Sequence, residues 1–408
     1  MSDLRITRLD SGLTVATEHV PSALSVAVGA WVGVGSRDEP SEISGVSHFL
    51  EHLLFKGTAT RSAQEISRSV DRVGGDFNAF TAKEYTAYYI RLPARHATIG
   101  VDLLSDVLIR AALRDHDIES ERSVILEELA MDDDSPDDVA HRAFAAQLYA
   151  DHPLGRETAG DRRTVQQITP ADVRSFFQAH YHAEAIVVSV AGPIDHDDAL
   201  RLVSSSFTEI RPTGARPQRE APQHIGKHHS IADDTEQVHI VMGGRALPRG
   251  DDDREALDAI NHVLGGGLSS RLFEEIRERR GLAYSVYSGV SAYADTGAFQ
   301  MYAGTQPDHA DEVIALMQHE VDRLSSESIS GEELDVAVGY LTGAFELGLE
   351  DTGARMARNG ALLVTTGDVR SIDEQVARLA AVDHGSVRRT IERVFDTEPI
   401  IVTVGPTH

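Results

Sequence analysis

Two histidines and a glutamate lie within five consecutive residues of this sequence, at His48, Glu51 and His52. In a helix, residues three and four positions apart share one face, so both imidazoles and the carboxylate would point the same way. Two imidazoles can bind a divalent metal, and the carboxylate can serve as the base for a bound water. The run therefore predicts half of a catalytic zinc site. Two core-flanking histidines beside a surface glutamate would give the same order by chance.

The neighbouring residues predict the helix that this spacing requires. Apolar residues recur at helical spacing over 46–55, Gly45 precedes them, and Lys56 followed by Gly57 is typical of a helix end. We expect a buried, amphipathic helix. A catalytic zinc needs three protein ligands and one open position, so the third ligand must come from elsewhere in the chain.

A second helix is predicted over 118–131, with Asp117 as its N-cap. Glu121 and Glu128 are seven residues apart on one border of its apolar stripe, whereas Glu127 lies nearly opposite that stripe. This geometry nominates Glu128 as the third ligand and leaves Glu127 in solvent. Glu121 lies two turns earlier on the same face, where it can hydrogen-bond a ligand histidine and fix its tautomer. In a helix taken at random, such acids more often form a solvated face.

The order His-x-x-Glu-His, followed 76 residues after His52 by Glu128, resembles the inverted zinc-peptidase motif of the pitrilysin/insulinase family. The sequence is most similar to the short members, the bacterial processing-peptidase-like enzymes and the β subunit of mitochondrial processing peptidase, over essentially the whole chain. The resemblance implies that one zinc ion per chain is held by His48, His52 and Glu128. It also implies that Glu51 is the general base and Glu121 a supporting catalytic carboxylate. Manganese or cobalt can occupy such a site as well.

A block rich in glycine and aromatic residues follows the first predicted helix. Residues 85–92 predict a strand that ends at Pro93. In the family that the chain resembles, the segment before it is an edge strand to which an extended peptide adds a strand of its own. Without the resemblance, the glycine pair before an asparagine indicates a turn ahead of a hairpin. With it, the implied substrate contacts are Asn78, Ala79, Phe80 and Thr81.

A faint internal repeat with a period near 213 residues divides the chain in two. The strand, proline and helix over 85–109 are echoed over 297–324. Between the copies, a stretch rich in proline, glycine and charge predicts a linker. We expect an N-terminal catalytic zinc-binding domain at 1–211, a linker at 212–230 and a C-terminal inactive repeat domain at 231–408 that contributes substrate-binding residues.

Each half mixes strands with helices, which predicts an α+β fold with a mostly antiparallel, helix-covered sheet in each domain. The resemblance implies the same architecture as two homologous αβ-roll domains. In the second copy, the place of the zinc helix is taken by a segment with one histidine, His262, so we expect one metal site per chain. The glycines at 265–267 predict a tight turn, and the acidic run at 132–138 predicts a solvated loop.

The resemblance also gives the second half a role. Arg277 and Tyr284, seven residues apart, would hold substrate carbonyls and stabilise the tetrahedral oxyanion. Long relatives supply this domain within one chain, so in a chain of 408 residues both side chains would serve a partner's zinc, in a homodimer or in a heterodimer with a paralogue. The alternative is an arginine on a helix surface and a tyrosine in a core strand.

Composition narrows the function further. A net charge of −27 argues against nucleic acid or an anionic membrane as a partner, and the absence of cysteine excludes a thiol nucleophile. No apolar run is long enough to span a bilayer and no signal peptide is recognisable, so we expect a cytoplasmic protein. The sequence thus predicts a zinc-dependent endopeptidase that hydrolyses unstructured peptides or presequences inside a dimeric chamber. The alternative is a non-catalytic structural or regulatory subunit of a family heterodimer.

Overall fold

The computed structural model describes residues 3–406, which form two compact units. The first contains the described residues up to Leu129, together with Arg156–Arg219 and Leu347–Ile372. The second contains Ala130–Gly155, Glu220–Glu346 and the described residues from Asp373 onward. Each unit therefore includes one segment from the opposite half of the chain, which differs from the two contiguous domains expected from the sequence.

The strands are β1 (Asp3–Arg8), β2 (Thr14–His19), β3 (Ser25–Val32), β4 (Asp76–Thr81), β5 (Thr86–Pro93), β6 (Ile186–Gly192), β7 (His229–Ala232), β8 (Val238–Ala246), β9 (Ala283–Ala292), β10 (Gly297–Thr305) and β11 (Ile400–Gly405). The α-helices are α1 (Val46–Leu54), α2 (Ala63–Asp71), α3 (Ala97–Arg110), α4 (Asp115–Asp133), α5 (Pro136–Tyr149), α6 (Arg162–Gln167), α7 (Pro170–His180), α8 (His196–Ser206), α9 (Arg254–Asn261), α10 (Ala310–Glu327), α11 (Gly331–Gly348), α12 (Thr352–Thr366), α13 (Ile372–Ala380) and α14 (His384–Val394). Two π-helical segments occupy His262–Gly266 and Phe273–Arg279.

The two sheets share one strand order, except that the first has an additional edge strand, β1. The first unit has a six-stranded sheet in the order β1-β2-β6-β3-β5-β4, and the second has a five-stranded sheet in the order β7-β11-β8-β10-β9. In each sheet one pair is parallel, β2 with β6 and β7 with β11, and the other pairs are antiparallel. The predicted α+β class, with two mostly antiparallel sheets covered by helices, is confirmed. β4 and β9 are edge strands of their sheets.

Strand β3 is apolar along almost its whole length because helices cover both of its faces. Val26, Val28 and Ala30 point into the main core of the first unit, which they share with α1 and α3. Ala27 and Trp31 point to the opposite face, where they pack against α12. The alternation follows directly from the two-residue period of a strand.

Helix α12 is fixed to the first sheet by polar contacts as well as by packing. Asn359 Nδ2 donates a hydrogen bond of 2.7 Å to the buried carboxylate of Glu18 on β2, and Arg355 forms an ion pair with the same carboxylate. A Cβ at Gly360 would lie 2.1 Å from the Trp31 ring, so the helix and the ring approach too closely for any side chain here. In the second unit α5 covers the sheet in the same way, with Phe144 and Leu148 packed near β11.

Three local predictions from the sequence are wrong. Asp117 is not an N-cap, because α4 already begins at Asp115 and both acids lie in its first turn, where they are favoured by the helix dipole. The acidic run at 132–138 is mostly helical, since α4 continues to Asp133 and Pro136 begins α5, a position that proline suits. The glycines at 265–267 lie at the end of a π-helical segment, not in a tight turn.

Within the described part of the chain, no helix combines the length and the apolar character needed to cross a bilayer.

Candidate metal centre

Helix α1 is held in place from both sides. Its apolar residues, among them Phe49, Leu50 and Leu53, are buried in the core. Gly45 precedes the helix in the left-handed region, with φ +98°, and a Cβ there would lie 2.5 Å from the carbonyl oxygen of Ala159. The backbone therefore enters the helix at a position that only glycine fills without strain. The remaining face of α1 carries His48, Glu51 and His52.

The N-terminus of α1 is capped by a buried carboxylate from a preceding loop. Glu39 accepts hydrogen bonds of 2.7 Å from the backbone N–H groups of Gly45 and Ser47. These are donors that the helix itself leaves unpaired. Burial raises the pKa of Glu39 to about 7, although the two backbone donors and the nearby Arg156 favour the ionised form. Glu39 thus fixes the start of the helix that carries both histidines.

Three side chains converge between α1 and α4. The candidate ligand atoms of His48, His52 and Glu128 all lie within 4.8 Å of one another. His48 Nε2 is 3.6 Å from one oxygen of Glu128, and His52 Nε2 is 3.5 Å from the other. Zinc bound tetrahedrally at roughly 2.1 Å would separate its ligand atoms by about 3.4 Å. Both the donor set and its spacing therefore fit zinc.

Glu121 lies behind His52, on the side away from Glu128. The residue is 4% exposed, and its carboxylate lies 3.2 Å from His52 Nδ1 and 2.6 Å from Lys56 Nζ. A proton on Nδ1 that is donated to Glu121 leaves the Nε2 lone pair directed toward Glu128. Lys56, which the sequence suggested only as a helix-end cation, compensates the charge of this buried acid.

His48 is the more buried of the two histidines. Burial lowers its pKa, as does the neighbouring His52, and the neutral imidazole that this favours is the form that binds metal. Its Nδ1 atom is buried and has no hydrogen-bond partner among residues 3–406. On α4, the half-buried Glu128 faces the two histidines, whereas its neighbour Glu127 is exposed to solvent.

Glu51 extends from α1 toward the edge strand β4. The hydroxyl of Thr81 donates a hydrogen bond of 2.7 Å to Glu51 Oε2. This bond orients the carboxylate and is a long-range pairing without a signal in the sequence, and the substrate contact that the resemblance implies for Thr81 stays a prediction. Glu51 therefore stands beside the candidate ligands without belonging to the group that converges on the metal position.

The other residues implied as substrate contacts lie along β4. Its backbone pairs with β5 on one side, from Asp76 opposite Arg91 to Thr81 opposite Thr86. The Ala79 N–H donates a 2.8 Å hydrogen bond to the side-chain oxygen of Asn78, its own neighbour. This N–H therefore points to the open edge of the sheet, where a further strand would find it. Phe80 is partly exposed on the face opposite Ala79.

Arg277 and Tyr284 belong to the second unit, whereas the candidate metal ligands belong to the first. The Arg277 guanidinium lies 4.6 Å from the ring centre of Tyr284 and 4.7 Å from that of Phe273. Tyr284, on the edge strand β9, is 80% exposed. The pair is therefore brought together at a surface, and Tyr284 is not the core tyrosine of the alternative interpretation.

The sequence alone gave no reason to select Glu39. It lies nine residues before His48 in a loop without periodicity, and an acidic residue in such a loop is normally exposed. A signal was available only in the glycine at 45, which suggests a helix start that needs a cap from elsewhere.

The comparisons with known proteins agree over the whole chain. Residues 14–162 match the family described as "Insulinase (Peptidase family M16)", and residues 167–341 match "Peptidase M16 inactive domain". An uncharacterized zinc protease of Streptomyces coelicolor is 41% identical over 99% of this chain and 90% of its own length. An uncharacterized zinc protease of Bacillus subtilis is 35% identical over 97% of each chain.

Solved structures show the same fold. A protease from Helicobacter pylori superposes with a TM-score of 0.91 at 24% identity and covers 100% of both chains. An M16 inactive domain from Pseudomonas fluorescens superposes with a TM-score of 0.93 at 20% identity and covers 100% of this chain and 98% of the other. The two family matches and the full-length relatives show the family, and the solved structures share its fold. The chain belongs to the insulinase family of peptidases, M16.

Proposed function

We propose that this chain is a zinc-dependent endopeptidase in which His48, His52 and Glu128 hold one zinc ion and Glu51 is the general base. Membership of the M16 family and the zinc-protease names of its relatives support a metallopeptidase. The observation that carries the finer assignment is the convergence of two imidazole nitrogens and one carboxylate within 4.8 Å, beside a separate carboxylate. When bound, zinc lowers the pKa of a coordinated water and polarises a substrate carbonyl.

The side chains of the first unit divide the remaining work. Glu51 accepts the proton of the attacking water and passes it to the leaving amine, while the Thr81 hydroxyl keeps this carboxylate in one orientation. Glu121 holds His52 in the tautomer that presents Nε2, and Lys56 compensates the charge of Glu121 in its buried position. Metal binding, proton transfer and the orientation of the ligand and the base are thus functions of different side chains.

The open edge of β4 suits an extended peptide substrate. A peptide strand paired with β4 would take the Ala79 N–H that Asn78 now occupies, so the Asn78 side chain would have to move away. Recognition through backbone hydrogen bonds requires an unfolded segment but little sequence specificity. This supports unstructured peptides or presequences as the substrate class.

Arg277 and Tyr284 complete the proposal from the second unit. The partly buried Arg277 cation suits substrate carbonyls, and the exposed Tyr284 hydroxyl suits an oxyanion. We assign them to the zinc site of a partner chain in a dimeric chamber, with a second copy as the first candidate and a paralogue as the other.

A non-catalytic subunit of a family heterodimer is the second candidate. The description of residues 167–341 as an inactive domain favours it. That match does not include residues 48–128, where the candidate metal ligands and the base lie. A single cleavage experiment separates the two candidates.

The test compares the zinc-loaded chain with its Glu51→Gln variant on quenched, unstructured peptides of twenty residues. The variant should retain its zinc and lose roughly 10²–10⁴-fold in cleavage rate, because it keeps the ligands and lacks the base. Glu127→Gln, the same change at an exposed residue of α4, is the matched control and should cleave at the wild-type rate. Cleavage by neither wild type nor variant would favour the non-catalytic subunit, and equal cleavage by both would exclude Glu51 as the base.

A further inference from the structure

A cavity of about 460 Å³ lies in the first unit between the outer face of its sheet and α12. Most of its wall is apolar and aromatic, with Trp31, Phe80, Tyr89 and Met356 from the two layers. Ala354, in the first turn of α12, is exposed at its wall. A volume of this size is typical of pockets that bind small molecules or large side chains. None of these residues contributes to the candidate metal centre.

The cavity and the candidate catalytic group lie on opposite faces of the same edge strand. On one face of β4, Phe77 packs 4.9 Å from the ring of Phe55 just after α1, and Thr81 bonds Glu51. On the other face, the Phe80 ring lies 6.3 Å from that of Tyr89 on β5. Side chains of neighbouring residues in a strand point to opposite faces, which places Phe80 at the cavity and Thr81 at the base.

We propose that this cavity binds one large apolar side chain, aromatic by preference, of the peptide that pairs with β4. The proposal rests on the proposed function, since it takes the occupant to be the substrate peptide. A peptide added to β4 continues the pleat of the sheet, so every second side chain projects to the cavity face while those between project toward α1. The cavity is therefore a selectivity pocket that acts away from the reacting bond.

The charges of the wall disfavour an acidic occupant, and its aromatic rings favour an apolar one. The charged groups Arg91 and Asp351 form an ion pair of 2.7 Å with each other, and both are about half exposed. A third charged group, the Asp76 carboxylate, excludes acidic side chains by repulsion. Phe80 and Tyr89 are inclined at 61°, an arrangement that leaves ring edges and faces for a third aromatic ring.

Binding is the first readout, because it does not require turnover. The probe is a set of fluorescein-labelled twelve-residue peptides of glycine, serine and threonine with one phenylalanine, arginine or glutamate moved through successive positions. Their affinity is measured by fluorescence anisotropy for the zinc-loaded Glu51→Gln chain. Phenylalanine should improve affinity about tenfold or more at one position, or at positions two residues apart, but not at adjacent ones.

Pocket variants connect that preference to the cavity. Ala354→Leu adds bulk at an exposed wall position, and Phe80→Ala removes a ring that is already 39% exposed, so neither disturbs a buried core. Each should reduce the phenylalanine-to-glycine affinity ratio at least about fivefold. Ala171→Leu is the matched control, because Ala171 is likewise exposed in the first turn of its helix, α7, and should leave the ratio unchanged.

The outcomes separate this inference from the proposed catalysis. A positional phenylalanine preference that Ala354→Leu reduces supports the pocket, even if the wild-type chain proves unable to cleave any peptide. A preference that both pocket variants leave intact overturns the pocket, and so does equal or tighter binding of arginine or glutamate at the same positions. Failure of every peptide to bind overturns it as well.

Discussion

The two units share a strand order but differ in the helix that follows the equivalent strands β3 and β8. In the first unit that helix is α1, which is pinned by the core and by Glu39 and carries two histidines and Glu51. In the second, α9 runs into a π-helical segment whose single histidine, His262, stacks 4.1 Å from the Tyr340 ring. Among residues 3–406, the same scaffold thus carries a candidate metal centre in one unit and a stacked histidine at the equivalent place in the other, so the sheet does not specify the chemistry.

The sheet faces covered by α12 in the first unit and by α5 in the second also differ. Under α12 the first unit has an open cavity beside β4. At the equivalent place under α5, the second unit has stacked rings, with Tyr287 of β9 5.0 Å from Tyr302 and His141 of α5 5.3 Å from Tyr302. His141 Nε2 also lies 2.9 Å from the Tyr287 hydroxyl. The second unit therefore has a stack of three rings at the place that corresponds to the cavity of the first.

Replacing one histidine of each unit by alanine should give the largest contrast. His52→Ala removes a proposed ligand and should lower zinc affinity by more than about 100-fold, beyond the usual effect of losing a supporting residue. His262→Ala, the same change in the second unit, should leave zinc affinity unchanged. Zinc binding measured by competition with a chromogenic chelator decides between them. Equal affinity in the two variants would place the metal elsewhere.

Substitution of Glu121, whose carboxylate lies behind His52, should have the next largest effect on zinc affinity. Glu121→Gln keeps the shape but weakens the hydrogen bond to His52 Nδ1 and leaves Lys56 without its ionic partner. We expect zinc affinity to fall about 10–100-fold. The exposed Glu127→Gln variant should bind zinc as the wild type does. If Glu121→Gln also retains wild-type affinity, Glu121 does not orient the ligand.

The cap on α1 should make the stability of the first unit depend on pH. Burial raises the pKa of Glu39 from 4.5 to about 7, so the folded chain holds the proton of this side chain more tightly than the unfolded chain does. The stability that this difference contributes is complete below pH 4.5 and is lost as pH rises to about 7. The loss over this window should be on the order of 2–3 kcal/mol. Chemical denaturation at pH 5 and pH 7.5 should show a smaller difference for Glu39→Gln than for wild type.

Glu42→Gln provides the control for that pH dependence. Glu42 is exposed, and hydrogen bonds within its own turn lower its pKa, so its titration lies below the window. Its variant should retain the wild-type difference between the two pH values. A difference that survives in Glu39→Gln would assign the pH dependence to other groups.

Two glycine-to-alanine changes in helices should have effects of opposite sign. Gly360→Ala would bring a methyl group against Trp31, and the overpacking should cost about 1–3 kcal/mol in the first unit. A methyl group at Gly339 in α11 would enter open space, with no neighbouring atom within 4 Å, so Gly339→Ala should stabilise the second unit by roughly 0.5–1 kcal/mol. Differential scanning calorimetry measures both. Stabilisation by Gly360→Ala would show that α12 does not pack on Trp31 in solution.

Local periodicity accounts for what could be predicted of the site. The helical spacing of His48, His52 and Glu51, and the position of Glu128 at the border of a buried stripe, are properties of single helices, so the sequence was enough to nominate them. The contacts of Glu121 with Lys56 and of Thr81 with Glu51 join residues far apart in the chain. No short-range pattern encodes such pairs.

The placement of α5 and α12, each of which covers the sheet of the opposite half of the chain, likewise could not be predicted from local periodicity. Their apolar stripes predict that each helix covers a sheet. An apolar stripe packs on any complementary surface, however, so it does not determine which of the two sheets the helix covers. The close approach of Gly360 to Trp31 and the bonds from Asn359 and Arg355 to Glu18 select the first sheet for α12. The sequence by itself determined the family, the α+β class and the candidate ligands, because these follow from motifs and from periods of two and 3.6 residues. Only the tertiary structure decided which sheet each helix covers, which residues pair with Glu121 and Glu51, and where a cavity remains, because these depend on shapes and charges that meet only after folding.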